Sequence, residues 1–231
     1  MGQRRPLSEQ LESPRLTVPV GPTDHARGGS ETAPLTLVEY GDYECPYCGA
    51  AYPIVKELQS RLGDGLRFVF RNFPITTSHP HAEQAAEAAE GAANQGRFWE
   101  MHDVLYENQR RLGDSDLRSY AQTLGLDVEQ FDKELADHVH AARVREDFMS
   151  GVRSGVSGTP GFYINGARHD DSYDFARCSG ASRGLALGGR SRLDPALKEG
   201  DLLVWPGAVA GHRAVAEALE YGVAVPGDVV E

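Results

Sequence analysis

Two cysteines stand three positions apart at Cys45-Pro46-Tyr47-Cys48, and disulfide exchange is the chemistry this spacing serves. Exchange needs a thiolate to attack and a second thiol near enough to displace whatever the first captures. At a helix N-terminus the first cysteine sits beside unpaired backbone N–H groups and the positive end of the dipole, with the second one turn further in and more buried. Such a setting takes a thiol from ~8.5 into the range of roughly 3.5–7.5. The ionised fraction at pH 7 then rises from about 3% to half or more. Cys45 is therefore the expected attacker and Cys48 the resolving thiol. Pro46 stiffens the first turn at little loss, because its missing N–H would be unpaired there. Tyr47 presents an aromatic face near the sulfurs, and Glu44 sets a carboxylate beside Cys45 that opposes the dipole. These three are the expected redox-tuning positions.

The same spacing could supply half of a zinc site, but zinc needs four ligands. The chain has no second C-x-x-C, so His79/His81 or His138/His140 would have to complete the set. Alternating histidines on acidic helices read more simply as solvated side chains, and no metal is expected.

The elements that must position the pair can be read on either side of it. Pro34–Tyr40 is a β-branched and aromatic run ended by Gly41-Asp42, which predicts a strand. Apolar residues then recur at Ala51, Ile54, Val55, Leu58 and Leu62 with Gly63 as a stop, a helix of 3.6 period that Pro53 should kink. Leu66–Phe73 reads as a second strand, so the motif opens the helix of a βαβ unit. Downstream, Gly158-Thr159-Pro160-Gly161 precedes the short strand Phe162-Tyr163-Ile164. Asn165-Gly166 is a hairpin turn returning through Ala167-Arg168-His169. A proline directly before a strand here is expected to be cis, bringing the Thr159 backbone opposite the cysteines to pair with an extended substrate segment.

Between these halves, about residues 78–153, the signal is helical throughout. Ala82, Ala85, Ala86, Ala89 and Ala93 form one small-residue face, and Phe98, Met101, Leu105 and Tyr106 another. Leu117, Tyr120, Ala121 and Leu124 follow an Asp114-Ser115 cap and stop at Gly125. Asp127-x-x-Gln130 resembles a capping box opening a helix through Phe131 and Leu135, and Val144, Phe148 and Val152 continue the period. Residues 1–31 read as a flexible lead-in with a possible edge strand at Leu16–Val20. Ser172–Phe175 looks like the start of a terminal helix. From 178 to 231 the chain turns Gly-rich and aperiodic, with a possible strand at Asp201–Trp205, a possible helix at His212–Tyr221 and a stray thiol at Cys178.

The 231 residues suit one domain with an insertion or a tail. A formal charge of −11 argues against general nucleic-acid binding and against attraction to anionic lipid, since both favour Lys/Arg patches. No stretch reaches the roughly 18 apolar residues that span a bilayer. Arg4-Arg5 is followed by no hydrophobic segment, so neither a signal peptide nor a twin-arginine signal is read, and a cytoplasmic location is the expectation. The odd count of three cysteines and a reducing compartment argue against a structural disulfide framework.

Val38-Glu39-Tyr40-Gly41-Asp42-Tyr43-Glu44-Cys45-Pro46-Tyr47-Cys48, the Phe68–Pro74 strand and loop, and Gly158-Thr159-Pro160 with its hairpin together resemble the DsbA-like branch of the thioredoxin superfamily. Cys-Pro-Tyr-Cys alone also resembles glutaredoxin; the long helical stretch between Cys48 and Pro160 is what points to the DsbA-like branch. The resemblance covers about residues 16–175. It implies an α/β thioredoxin-like fold, a central mixed sheet flanked by helices, with an all-helical insertion between the βαβ unit and the cis-proline loop. It implies Cys45 as nucleophile, Cys48 as resolving thiol and Thr159-Pro160 as the substrate-docking loop. Protein thiols and disulfides would be the substrates, with a thioredoxin or glutathione system as redox partner and no metal or organic cofactor. The domain is expected over residues 32–177, with 178–231 as an atypical extension where the family places a closing helix; a shifted reading frame or a fused tail would leave such a change. Exported members carry a signal peptide, so the cytoplasmic expectation favours a reductase or a stress-related dithiol enzyme. Two other readings compete: a glutathione-dependent transferase or isomerase, whose relatives usually place Ser or a single Cys at the pair, and a redox-sensing or metal-holding binding module.

Overall fold

Leu35 and Leu37 alternate with Val38 and Tyr40, and all four are buried, so this strand has apolar neighbours on both faces. It lies at the centre of a five-stranded sheet in the computed structural model, which describes residues 14–169. The strands are β1 (His25–Gly28), β2 (Leu35–Gly41), β3 (Leu66–Asn72), β4 (Gly161–Ile164) and β5 (Ala167–His169), in the order β1-β3-β2-β4-β5. β2 and β3 run parallel, joined by α1 (Pro46–Leu62), and the other pairings are antiparallel. The expected βαβ unit is therefore the middle of the sheet. Helix α1 continues through Pro53 and ends at Gly63.

Five helices fill the stretch between β3 and β4: α2 (Ala82–Asn94), α3 (Phe98–Glu107), α4 (Asp114–Thr123), α5 (Val128–Ala136) and α6 (Ala141–Ser154). The alanines of α2 are buried at positions 82, 85, 86, 88, 89 and 92, which lets α3, α5 and α6 approach closely. The Phe131 ring of α5 lies over Gly91 of α2, where an added Cβ would only just come into van der Waals contact with it. Deleting a ring so buried typically costs ~3–5 kcal/mol. Asn165 and Gly166 both take positive φ, 48° and 81°, the geometry of the tight hairpin turn that Asn-Gly favours.

Five local expectations are corrected. The edge strand is not at Leu16–Val20 but at His25–Gly28, paired with β3. The earlier run touches the sheet only through a single antiparallel bridge, Arg15 to Ala167 of β5, with the Leu16 N–H on the Gly166 carbonyl; beyond it the Thr17 N–H donates to Ser154 Oγ, and the Val18 and Pro19 carbonyls accept from Arg71. Residues 14–31 are thus held against the sheet by these bonds and by β1 rather than forming a flexible lead-in. Helix α4 is capped from Gly113, with Asp114 and Asp116 inside its first turn, where carboxylates complement the dipole without capping. The capping box at α5 is half made: Asp127 accepts from the Gln130 N–H, but the Asp127 N–H is taken by Gln95 Oε1 of a neighbouring segment while the Gln130 side chain turns to Glu134. Val152 is 45% exposed, so the apolar face of α6 ends before it. The expected helix at Ser172, the elements near 201–221 and Cys178 lie outside the described residues.

Candidate active site

The turn from β2 into α1 is built by Asp42. Its buried Oδ1 accepts the Glu44 N–H at 2.8 Å, and its backbone carbonyl accepts the Cys45 N–H at 3.2 Å. Local side chain-to-backbone bonds of this kind favour turns over continued strand. Cys45 becomes the N-cap of α1 with extended backbone, and Pro46 occupies the first helical turn as expected. The chain thereby delivers one sulfur to a ring of helix N–H groups and the other one turn inward.

The two thiols are free and buried, and their environments push them apart. Cys45 falls from 9.0 to about 6: the hydrogen bond from Cys48 contributes most, burial opposes it, and Thr159 and the backbone N–H groups of Cys48 and Tyr47 help. Cys48 moves well above the ordinary thiol range, chiefly because burial penalises its charge, and also because Cys45 holds its proton in a hydrogen bond. At neutral pH the pair is thus one thiolate and one thiol.

Thr159 and Pro160 are joined by a cis peptide, and the Thr159 carbonyl lies 3.4 Å from Cys45 Sγ. A loop far away in sequence is in this way set directly on the first sulfur. The Thr159 hydroxyl is buried beside it. Tyr47 is 61% exposed next to the sulfurs, a large apolar face offered to solvent. Glu44, next to Cys45 in the turn, has a role the sequence did not show: its carboxylate holds the next loop, with Oε2 accepting the His81 N–H at 2.7 Å and Oε1 2.9 Å from His81 Nδ1.

A second carboxyl group couples to both thiols, Glu39, which the sequence reading passed over. It sits fully buried in β2, raised from 4.5 to about 8, first by burial and then by the negative charge of Cys45. One of its oxygens, Oε1, has no hydrogen-bond partner among the described residues. A signal was present: position 39 shares the strand face of Leu35 and Leu37, so the alternation calls for an apolar residue where an acid stands. Gln109, after α3, was also missed. Its amide donates to the carbonyls of Tyr43 and Cys45, both at 2.9 Å, and so ties the helical insertion to the motif. Gly49 leaves the room for it, since a Cβ there would stand 1.9 Å from the Gln109 Oε1. No sequence pattern marks that contact. Among the described residues no cluster of three or more His, Cys, Asp or Glu side chains is arranged to hold a metal ion.

Residues 21–181 match the family described as thioredoxin. The chain is 49% identical over 178 residues to the Na(+)/H(+) antiporter NhaA 1 of Salinispora arenicola, a match covering 77% of this chain and 27% of that protein. It is 46% identical over 160 residues to the Na(+)/H(+) antiporter NhaA of Herminiimonas arsenicoxydans, covering 69% and 25%. The chain therefore spans only about a quarter of the length of these relatives. Among solved structures, BdbD from Bacillus subtilis is similar with a TM-score of 0.59 at 22% identity, covering 73% of this chain and 94% of that one. A thioredoxin-like oxidoreductase from Silicibacter pomeroyi also scores 0.59, at 26% identity, covering 69% and 90%. With the cysteine pair at the head of α1, the cis-proline loop against it and a helical insertion between, the chain belongs to the thioredoxin family and has the fold of its DsbA-like thiol–disulfide oxidoreductases.

Proposed function

We propose that the chain exchanges disulfides in protein substrates, with Cys45 as nucleophile and Cys48 as resolving thiol. One observation carries this reading: the thiol lowered to about 6 is also the one in contact with the cis-proline loop, so the reactive sulfur and the docking edge coincide. An extended substrate segment can pair with the Thr159 backbone while its disulfide meets Cys45.

In the reducing direction the Cys45 thiolate attacks one substrate sulfur, the substrate S–S bond breaks, and one substrate thiolate leaves. Cys48 then loses its proton and attacks Cys45 Sγ, releasing the second substrate sulfur and leaving the Cys45–Cys48 disulfide; two electrons have passed to the substrate. Glu39 supplies a place for the Cys48 proton. While Cys45 is a thiolate its charge helps keep Glu39 protonated. Once Cys45 is bound in the mixed disulfide that charge is gone, so Glu39 becomes easier to ionise, and a proton lost to solvent leaves it ready as a base. The oxidising direction is the same path reversed.

A thioredoxin or glutathione system would return the pair to its starting state. A potential for the Cys45/Cys48 couple near ~ −270 mV, measured against glutathione, favours a reductase, and one near ~ −120 mV an oxidant. The antiporter name belongs to proteins of which this chain matches a quarter. Among the described residues no helix is long and apolar enough to cross a membrane, and ion transport is not part of the activity proposed for this segment.

The test is a pair of variants. Cys45→Ser should abolish turnover of a disulfide substrate, and Cys48→Ala should accumulate a mixed disulfide visible by non-reducing electrophoresis. Full activity in both variants would sink the assignment.

A further inference from the structure

The His79-Pro80-His81 segment between β3 and α2 repeats the spacing of the turn it faces. His79 Nδ1 lies 2.7 Å from Asp42 Oδ2, and His81 Nδ1 lies 2.9 Å from Glu44 Oε1. Two backbone bonds reinforce the match: the Ile75 N–H donates to Asp42 Oδ2 at 2.8 Å, and the His81 N–H to Glu44 Oε2 at 2.7 Å. Two histidines two apart thus grip two carboxylates two apart, and Cys45 follows the second carboxylate directly. The points of contact differ in their exposure to water. The Asp42 side chain is fully buried and His79 17% exposed, whereas His81 is 50% exposed.

We propose that His79, seconded by His81, is a positioning residue for Cys45: it holds the turn by its carboxylates and offsets their charge, and so sets how readily the attacking sulfur ionises. This rests on the reading of Cys45 as the attacking thiol.

The charges that bear on the sulfur can be named from each side. Glu39 comes from β2 beneath, Asp42 and Glu44 from the turn, Cys48 from α1, and His79 and His81 from the facing loop. Glu39 is protonated at neutral pH. With both imidazoles charged, the turn and its loop cancel. With both neutral, two carboxylates stand near a thiolate, and like charges at such range disfavour ionisation. Burial alone would lower His79, but the hydrogen bond and charge of Asp42, together with the charges of Cys45 and Glu44, leave it above the ordinary imidazole value. The coupling is mutual, so a thiolate at Cys45 favours a proton on His79, and closing the Cys45–Cys48 disulfide weakens the hold on that proton.

The test is alkylation of Cys45 by iodoacetamide across pH in the full chain, with peptide mass spectrometry separating Cys45 from Cys48 and Cys178. Glutamine can still donate to Asp42 but carries no charge, so His79→Gln should slow Cys45 alkylation at pH 5.5 about three- to eightfold, the effect of a half- to one-unit rise in a thiol that starts at about 6. It should leave the rate at pH 9.5 unchanged. His81→Gln should change it less than about twofold in physiological salt, because solvent screens an exposed pair. A His79→Gln profile that superimposes on the wild type overturns the proposal, and so does an equal loss at both pH values, which marks a turn that has lost its shape. A wild-type Cys45 no more reactive than a free thiol overturns both this proposal and the reading beneath it. A second measurement needs no variant: by NMR the His79 titration midpoint should lie at least about half a unit lower in the disulfide form than in the dithiol form. Equal midpoints overturn the proposal as well.

Discussion

Two ionisable side chains are buried at the middle of the sheet, on adjacent strands and opposite faces, and the protein treats them in opposite ways. Arg71 of β3 is 2% exposed. Its Nε and Nη2 donate to Asp24 at 2.7 and 3.0 Å, its Nη1 to the Tyr40 hydroxyl at 2.8 Å and the Val18 carbonyl at 2.9 Å, and its Nη2 also to the Pro19 carbonyl at 3.1 Å. Burial would raise Asp24, yet the bonds from Arg71 and Gly21 hold it below the usual carboxylate range. Glu39 of β2 is equally buried, but one of its carboxyl oxygens has no hydrogen-bond partner among the described residues, and it is raised to about 8. A satisfied charge fixes structure because each protonation state but one is costly. An unsatisfied acid is left near the point where it can change state, which is what proton transfer beside a dithiol requires.

Breaking the satisfied side should give the largest effect. Arg71→Leu leaves Asp24 buried with its main countercharge gone and only the Gly21 N–H still bonded, and is expected to cost ~3–5 kcal/mol by urea unfolding. Redox turnover per folded molecule should be little changed, because the guanidinium faces away from the cysteines. Loss of turnover without loss of stability would reverse the comparison.

Glu39→Gln should do the opposite and slow turnover by about 10²-fold, the usual effect of removing a positioned acid–base group. Its stability effect should depend on pH with a definite sign. Glu39 is raised from 4.5 to about 8, so the folded chain keeps a proton that the unfolded chain loses in that window. The stability it lends below pH 4.5 is lost as the pH rises toward 8. The difference, wild type minus variant, should therefore decline between those limits by up to about 1.4 kcal/mol per pH unit. Cys45, lowered from 9.0 to about 6, works in the other direction between pH 6 and 9. Only the difference isolates Glu39. A flat difference would mean that the acid is not held neutral by its burial.

The smallest effect should come from a pair that has partners but no burial. Arg61 bonds Glu57 one turn away on the outer side of α1, with both side chains at least half exposed. Arg61→Ala should change thermal stability by less than ~0.5 kcal/mol. A larger loss would show that pairing by itself, without burial, sets the cost at Arg71.

Much of this arrangement was legible in the residues. Leu35–Gly41 and Leu66–Asn72 announced strands by composition, and the Ala51–Leu62 period announced the helix between them. Asn165-Gly166 announced the hairpin, because each of these signals is local and acts through backbone preference or a single buried face. The pair at Cys45 and Cys48 and the proline at 160 were legible for the same reason. Glu39 was legible in principle, as an acid in an apolar slot. Glu44 was read only as a neighbour of Cys45; that its carboxylate also holds His81 depends on a loop remote in sequence. His79 and His81 were set aside as solvated for want of the turn that faces them.

The sequence by itself determined that two thiols would stand at the head of a helix between parallel strands, and that a proline loop and hairpin would follow a helical insertion. Those outcomes depend on short-range periodicity and on the few residues that tolerate turns. The tertiary structure alone decided which carboxylate meets the sulfur, which histidines meet the turn, and that Gln109 braces the motif from the far side of the insertion. Such choices depend on distance and burial between segments remote along the chain, and charge acts through space rather than along the backbone.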